Sequence, residues 1–376
     1  MLAHLLAVLT LVLSPPPADT VAIRAGRVLN LRTGQAESGV TLLIRDGRIA
    51  ARGRDLVIPA GVRVIDASNY TIMPGLIDAH VHLTISERPR DDAVRTLRAG
   101  FTTVADLGSA DGDGARLMKV IDANNALGPT MLAAGSWIGG RGGACEFGGA
   151  TIRGAAEAGA RARSDLAAGA NLLKVCVSGW IKDAAAYPDS VELTAAEMAA
   201  VVKEAHAARV PVAAHATSRA AVAQSLDAGI RLLAHTPVVD AAGAAAIARS
   251  GACVITTMTT LLAQDDSAAA LRRSFTRLRQ ARVTLALGTD AGVLPHGDNA
   301  EELLTLAALG MSPLEVLRSG TTVAARCLGL PEYGGLDQGA LADLVAVSGD
   351  PLTDLSVLKA PVFVVHRGTV IQTAEH

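Results

Sequence analysis

Aromatic side chains are scarce. Phe, Trp and Tyr make up 2% of the 376 residues, with only two Trp, three Tyr and four Phe. That scarcity excludes the stacking platforms on which single-stranded nucleic acid is held. An excess of positive charge is also missing. Lys and Arg number 34 against 36 Asp and Glu, for a net charge of −2, so no basic face for nucleic acid or an anionic membrane is indicated. Half of the residues are hydrophobic and mean hydropathy is +0.34, yet much of this is Ala. No internal segment approaches the ~20 apolar residues of a membrane span. The four Cys (Cys145, Cys176, Cys253, Cys327) form no CxxC or other zinc-finger spacing. Three fall in predicted strand or helix and read as small packed hydrophobes, with a single bridge compatible with an exported chain. What remains is a chain long enough for a large α/β barrel with an accessory domain, acting on small molecules.

The ends differ from the middle. "LLAVLTLVLS" (5–14) is an apolar run broken by "PPPADT". It fits the h-region of a secretory leader spanning 1–18, with cleavage after Ala18, although the usual Lys or Arg ahead of it is absent. An exported, periplasmic location follows, or a cytoplasmic one if the run is not a leader. No Cys lies nearby to carry a lipid anchor. Residues 19–73 are short β-like runs, with "RAG" and "RDG" read as hairpin turns. Residues 331–376 have the same character in "LADLVAVSGDP" and "PVFVVHRGTVIQ". Both ends therefore read as one small β-sandwich domain with the middle inserted.

The middle, 74–330, alternates strand and helix. Strand candidates are 76–82, 102–107, 130–136, 172–178, 210–216, 231–236, 253–259 and 283–290. Gly100, Gly169, Gly229 and Gly251 stand where left-handed caps would close the preceding helices. "TAAE" (194–197) and "SPLE" (312–315) are capping boxes, the second with Pro313 at the first helical position. Eight strand–helix units argue for an α/β fold of (β/α)8, or TIM, barrel type. A doubly wound sheet is the alternative, but it would need a Gly-rich nucleotide loop after the first strand, and "DAHVHL" is not one.

In such a barrel the chemistry lies at the C-terminal ends of the strands. His80 and His82 end the first, in "PGLIDAHVHL". In a strand they share a face, as two ligands of one metal ion or as two hydrogen-bonded core residues. Lys174 lies in the fourth strand, His215 ends the fifth, His235 the sixth and Asp290 the eighth. Asp290 is also placed to cap its loop. Lys174 is flanked by Leu172, Leu173, Val175 and Val177, so its ammonium is desolvated at a cost. Either it pairs with a carboxylate such as Asp290, or it is neutral and takes up carbon dioxide as a carbamate. Each residue alone has a structural explanation; six converging on one rim point to a metal site.

The ordered set "DAHVHL", "LLKVCVSG", "AAHA", "LAHTP" and "GTDAG", with "GALADLVAV" near the C-terminus, resembles the metal-dependent amidohydrolase superfamily. The likeness covers nearly the whole chain after the leader. It is closest to the binuclear prolidase-like and imidazolonepropionase-like branch. The resemblance implies two divalent ions, zinc by type, one held by His80, His82 and Asp290 and the other by His215 and His235. Carboxylated Lys174 and a hydroxide would bridge them. It implies hydrolysis of an amide in a dipeptide or N-acyl amino acid, with Asp290 as general base and then acid. Asp78 reads as a structural residue. Relatives of this type are often multimers, so a homo-oligomer is compatible.

Some positions depart from the pattern or stand outside it. Thr236 and Pro237 follow His235 where many relatives carry Gly. The Gly-rich loop "GGRGGACEFGG" (139–149) reads as a mobile lid with Arg141 gripping a substrate carboxylate, or as an ordinary long loop. No GK[ST] follows it, so it is not a phosphate loop. His296 and Tyr187 are further candidate substrate contacts; His206 and His366 read as structural. A lactonase or other ester hydrolase would use the same metal pair. Mononuclear deaminases often carry Glu three residues after the fifth-strand His and lack the strand Lys, whereas this chain has Ser218 and Lys174. A non-catalytic scaffold would not need to keep six ligands.

Overall fold

The computed structural model describes residues 20–149, 151–264 and 268–372; the leader expected over 1–18 lies outside them. Strands from both chain ends join in one hydrogen-bonded sheet. Its N-terminal members are Val21–Asn30, Gln35–Ser38, Thr41–Arg45, Arg48–Gly53 and Arg63–Pro74, and its C-terminal members are Leu344–Val347, Phe363–His366 and Thr369–Gln372. The expected sandwich is thus a single eight-stranded sheet among the described residues. Its apolar side chains, Ile23, Leu42, Ile44, Ile72 and Leu344 among them, gather in one cluster. "RDG" is a hairpin turn, with Asp46 and Gly47 both at positive φ. "RAG" is not. Gly26 lies inside Val21–Asn30, where the register against Arg63–Pro74 shifts. A Cβ there would sit 2.1 Å from the Ser68 carbonyl oxygen, so this glycine serves a close approach of two strands rather than a turn.

The eight expected strand positions of the middle are all occupied, and all pair in parallel. They form two sheets rather than one continuous ladder. Leu76–Val81, Phe101–Asp106 and Thr130–Ala133 make the first. Trp137–Gly140, Leu173–Cys176, Val212–Ala216, Leu232–His235, Cys253–Ile255 and Thr284–Ala286, with the short Thr151–Ile152 at the edge, make the second. The third expected run is split. The chain bends at Gly135, φ 73°, leaving the first sheet and entering the second at Trp137 against Lys174. At the other end, backbone bonds from Ala79 N to Leu287 O (2.9 Å) and Asp290 N to His80 O (2.8 Å) hold the first strand beside the loop after the last.

Local chemistry accounts for the helices between. Both capping boxes form, Thr194 with Glu197 and Ser312 with Glu315. Gly100, Gly169, Gly229 and Gly251 all take positive φ, where a side chain would clash. Leu173 and Val175 face outward into the main apolar cluster, which includes helix residues such as Met198 and Val201. Leu172, Ala213, Leu232 and Ala234 join an inner cluster. His366 holds the terminal sheet to the first parallel sheet and the loop before Thr130, through Thr130 Oγ1 (3.0 Å) and the Asn125 carbonyl (2.8 Å).

The cysteines depart from expectation. All four are paired, Cys145 with Cys176 and Cys253 with Cys327, across 31 and 74 residues. Neither spacing is a motif, because the partners meet only when distant elements pack. Closing loops of this size stabilises the fold by about 2–4 kcal/mol per bridge.

Asp343, in "GALADLVAV", is buried. Its Oδ1 accepts from Arg367 N at 2.7 Å, and its Oδ2 has no hydrogen-bond partner among the described residues. Burial pushes its pKa up from 3.8 to about 7. The unfolded chain therefore releases this proton near 3.8 while the folded one keeps it, so stability falls as pH rises between about 3.8 and about 7. Asp343→Asn keeps the acceptor and removes the charge. Unfolding free energies of the variant from urea titrations should fall less over that window and lie above wild type at pH 8, by roughly 1–3 kcal/mol. Parallel curves for the two proteins would show that Asp343 does not carry this slope.

Candidate active site

The strand ends deliver six side chains to one buried cavity of about 100 Å3: His80, His82, Lys174, His215, His235 and Asp290. His80 and His82 meet, with their Nε2 atoms 3.2 Å apart. Asp290 Oδ1 lies 3.2 Å from His80 Nε2 and 3.3 Å from His82 Nε2. These three place ligand atoms within 4.8 Å of one another. The His235 ring centroid stands 4.9 Å from that of His80 and 4.7 Å from that of His215, so a second pair of imidazoles abuts the first group.

Hydrogen bonds decide which ring nitrogens face inward. His82 Nδ1 donates to the Gly108 carbonyl (3.2 Å) and leaves the Nε2 lone pair toward Asp290. His215 Nε2 donates to the Gly179 carbonyl (3.0 Å), leaving Nδ1 as its lone pair. His235 Nδ1 bonds Thr257 Oγ1 at 2.9 Å. Burial first, then the neighbouring Lys174, lowers the His80 and His215 pKa values, the latter to about 4. Burial and then His215 lower that of His235. Neutral imidazoles are the form that binds metal. Burial alone would raise the Asp290 carboxyl; its contacts with His80, His82 and His235 outweigh it and hold the group well below the usual carboxylate range.

Lys174 is the least satisfied member. It is 2% exposed and its Nζ has no hydrogen-bond partner among the described residues. Desolvation lowers its pKa to about 7, against the pull of Asp290, so about half of the amine is neutral near pH 7. An orphaned amine beside four imidazoles and a carboxylate is the donor set that divalent ions would complete: N and O ligands, with a nitrogen able to become an anionic carbamate.

The backbone around the site is strained. Non-Gly residues with positive φ include His235 (75°), Thr236 (52°), Thr257 (45°) and Asp290 (62°), all at strand ends here. Thr236 thus holds a left-handed conformation that only glycine adopts freely. At Gly292, φ is 113° and a Cβ would lie 2.6 Å from the His82 carbonyl, so the loop after Asp290 can approach the first strand only as glycine. Asp78 anchors the same junction. Its carboxylate accepts from Thr289 N (3.0 Å), Thr289 Oγ1 (2.7 Å), Asn299 Nδ2 (2.8 Å) and His80 N (3.1 Å).

The other expected site residues lie elsewhere. His296 is buried behind His82, with Nε2 3.3 Å from the His82 carbonyl and Nδ1 3.2 Å from Thr96 Oγ1. It supports that backbone and does not line the cavity. Arg141 is exposed and outside the lining. Tyr187, 64% exposed, borders a neighbouring depression with Trp180 and Glu192. The Gly-rich loop is held at its centre rather than free: Cys145 is bonded to Cys176, and Ala144 N donates to both carboxylate oxygens of Glu192 (3.0 and 3.1 Å). What the sequence reading missed is that both Trp and one Phe collect at this mouth. Trp137 lies 5.4 Å from the His82 ring, Phe147 4.9 Å from Trp137, and Trp180 stacks on Phe147 at 5.9 Å and 22°. Their gathering from separate strands and loops left only scarcity as a signal.

The sequence profile of the Amidohydrolase family matches residues 71–373. The chain is 25% identical over 399 residues to an Aspergillus niger protein named ochratoxinase, covering 89% of this chain and 82% of that one. A crystal structure of a Xaa-Pro dipeptidase with bound methionine superposes with a TM-score of 0.87 at 24% identity, over 94% of this chain and all of that one. A prolidase crystallised with N-methylphosphonate-L-proline superposes at 0.85 with 26% identity, over 94% and 99%.

Proposed function

This chain belongs to the amidohydrolase family, and on that premise we propose that it hydrolyses an amide bond in a dipeptide or N-acyl amino acid. The proposed centre holds two divalent ions, zinc by preference, on His80, His82, His215, His235, Asp290 and a carboxylated Lys174. Zinc suits the donor set, four imidazoles with carboxylate oxygens. The observation that carries the reading is the convergence of His80, His82 and Asp290 within 4.8 Å, beside a Lys174 amine with no partner. The likenesses to prolidase, Xaa-Pro dipeptidase and ochratoxinase support amide substrates. In this reading the two parallel sheets are the arcs of one (β/α)8 barrel.

Divalent ions bound here would polarise the scissile carbonyl and bring the pKa of a water toward neutrality. The residues do the rest. Neutral Lys174 would attack carbon dioxide through Nζ, forming an N–C bond as one C=O π bond opens onto oxygen, and an Nζ proton would pass to solvent water, which turns an orphaned amine into an anionic carbamate. Asp290 takes the proton of the attacking water and passes it to the departing nitrogen, since an amine leaves poorly without one. Thr257, Gly108 and Gly179 hold three imidazoles in place through their second ring nitrogens. An exported location is part of the proposal. Two disulfides support it, because such bridges persist in oxidising compartments.

Zinc-loaded enzyme should release amine from a panel of dipeptides, N-acyl amino acids and cyclic amides, with selectivity for one leaving residue. Silence across the panel, with two metals bound and lactones or esters cleaved instead, would replace the peptidase reading with an ester-hydrolase one.

A further inference from the structure

The mouth of the cavity says something about the substrate that the metal ligands do not. Beyond the six residues of the proposed centre, its described lining is apolar except for Gln264. Trp137 is buried against the His82 ring, while Phe147 and Trp180 are 61% and 50% exposed. Exposing two large aromatic side chains at one spot is costly for a chain with only nine Phe, Trp and Tyr. Ile85 and Val293, 45% and 48% exposed, complete the rim. The path from solvent to the imidazoles therefore runs over a continuous aromatic face.

Resting on the amide-hydrolase reading, we propose that Phe147 and Trp180 form an aromatic clamp selecting substrates with a planar, uncharged aromatic group next to the scissile amide. A ring seated there would extend the aromatic face of Trp180 and Phe147 toward Trp137, which is tilted 51° against the His82 ring. A charged side chain in the same place would lose its hydration, with no charged residue in the described lining beyond Lys174 and Asp290 of the proposed centre. The Cys145–Cys176 bridge fixes the clamp's reach. Cys176 shares a strand face with Lys174 two residues earlier, and Phe147 follows Cys145 by two, so the bridge sets Phe147 over the centre.

Trp137 and Trp180 are the chain's two tryptophans, so intrinsic fluorescence reports this mouth alone. Zinc-loaded full-length protein is titrated with N-acetyl-phenylalaninamide, N-acetyl-alaninamide and the α-amide of N-acetyl-glutamate. The aromatic probe should bind about tenfold tighter than the alanine probe, the order expected of one or two aromatic contacts, and the acidic probe weakest. Phe147→Ala should erase that preference. Phe147→Leu, which keeps bulk without a ring, should also lose it, and Phe147→Trp should retain it. Equal affinities for the aromatic and alanine probes, or a preference that survives Phe147→Leu, would overturn the clamp. Selective binding without amine release from any amide would leave the clamp standing and remove the hydrolase reading; turnover without aromatic preference would do the reverse.

Discussion

Lys174→Ala is expected to abolish amine release and to lower the bound metal from two ions to one, with the fold intact. Three features lead to this. The amine is buried without a hydrogen-bond partner among the described residues, so its removal breaks no described hydrogen bond of the fold. Its strand is held on both sides, pairing at Lys174 with Trp137 and with Ala213, so the backbone should not move. And with its pKa lowered to about 7, about half of the amine is neutral at pH 7, against roughly one part in a few thousand for an ordinary lysine. Uptake of carbon dioxide needs that neutral form. The variant should keep a thermal midpoint near wild type while kcat falls by about three orders of magnitude or more. Elemental analysis of the purified protein would show the missing ion. Acetate diffusing into the vacated space should restore part of the activity, since it returns an anion able to bridge. Full activity with two ions in Lys174→Ala would remove the carbamate from the mechanism.

Asp290→Asn should separate proton transfer from metal binding. Asn fills the same space, keeps an oxygen toward His80 and His82, and tolerates the left-handed φ of 62° at this position better than most residues would. Fold and much of the metal content should therefore survive. Turnover should not, because the amide cannot take a proton from water or return it to the leaving nitrogen; a loss of about 10²–10⁴ in kcat is the expected scale. An activated ester, whose leaving group needs no proton, should suffer less than an amide in the same variant. Wild-type-like amide turnover would mean that another base does the work.

The order of elements was legible along the chain because its causes are local. Short apolar runs, the four positive-φ glycines and the two capping boxes each act within a few residues. The same holds for "HVH", where two residues of one strand reach one point through spacing alone. "RAG" misled because a Gly that lets two strands approach looks, in a short window, like a Gly that turns the chain. The four cysteines misled for the opposite reason, since no window contains both members of a bridge.

The sequence by itself determined the types of ligand available and the strand ends that carry them, because strand face and strand end follow from neighbouring residues. Tertiary structure alone decided which of these groups meet and what surrounds them. His296 could not be assigned from its position after Asp290; packing put it behind His82, 3.3 Å from a carbonyl 214 residues away. The Cys145–Cys176 bridge and the joining of Trp137, Phe147 and Trp180 at one mouth likewise depend on how separate segments pack. Such contacts form only after loop closure, where the summed packing of sheets and helices, rather than any local pattern, selects the partners.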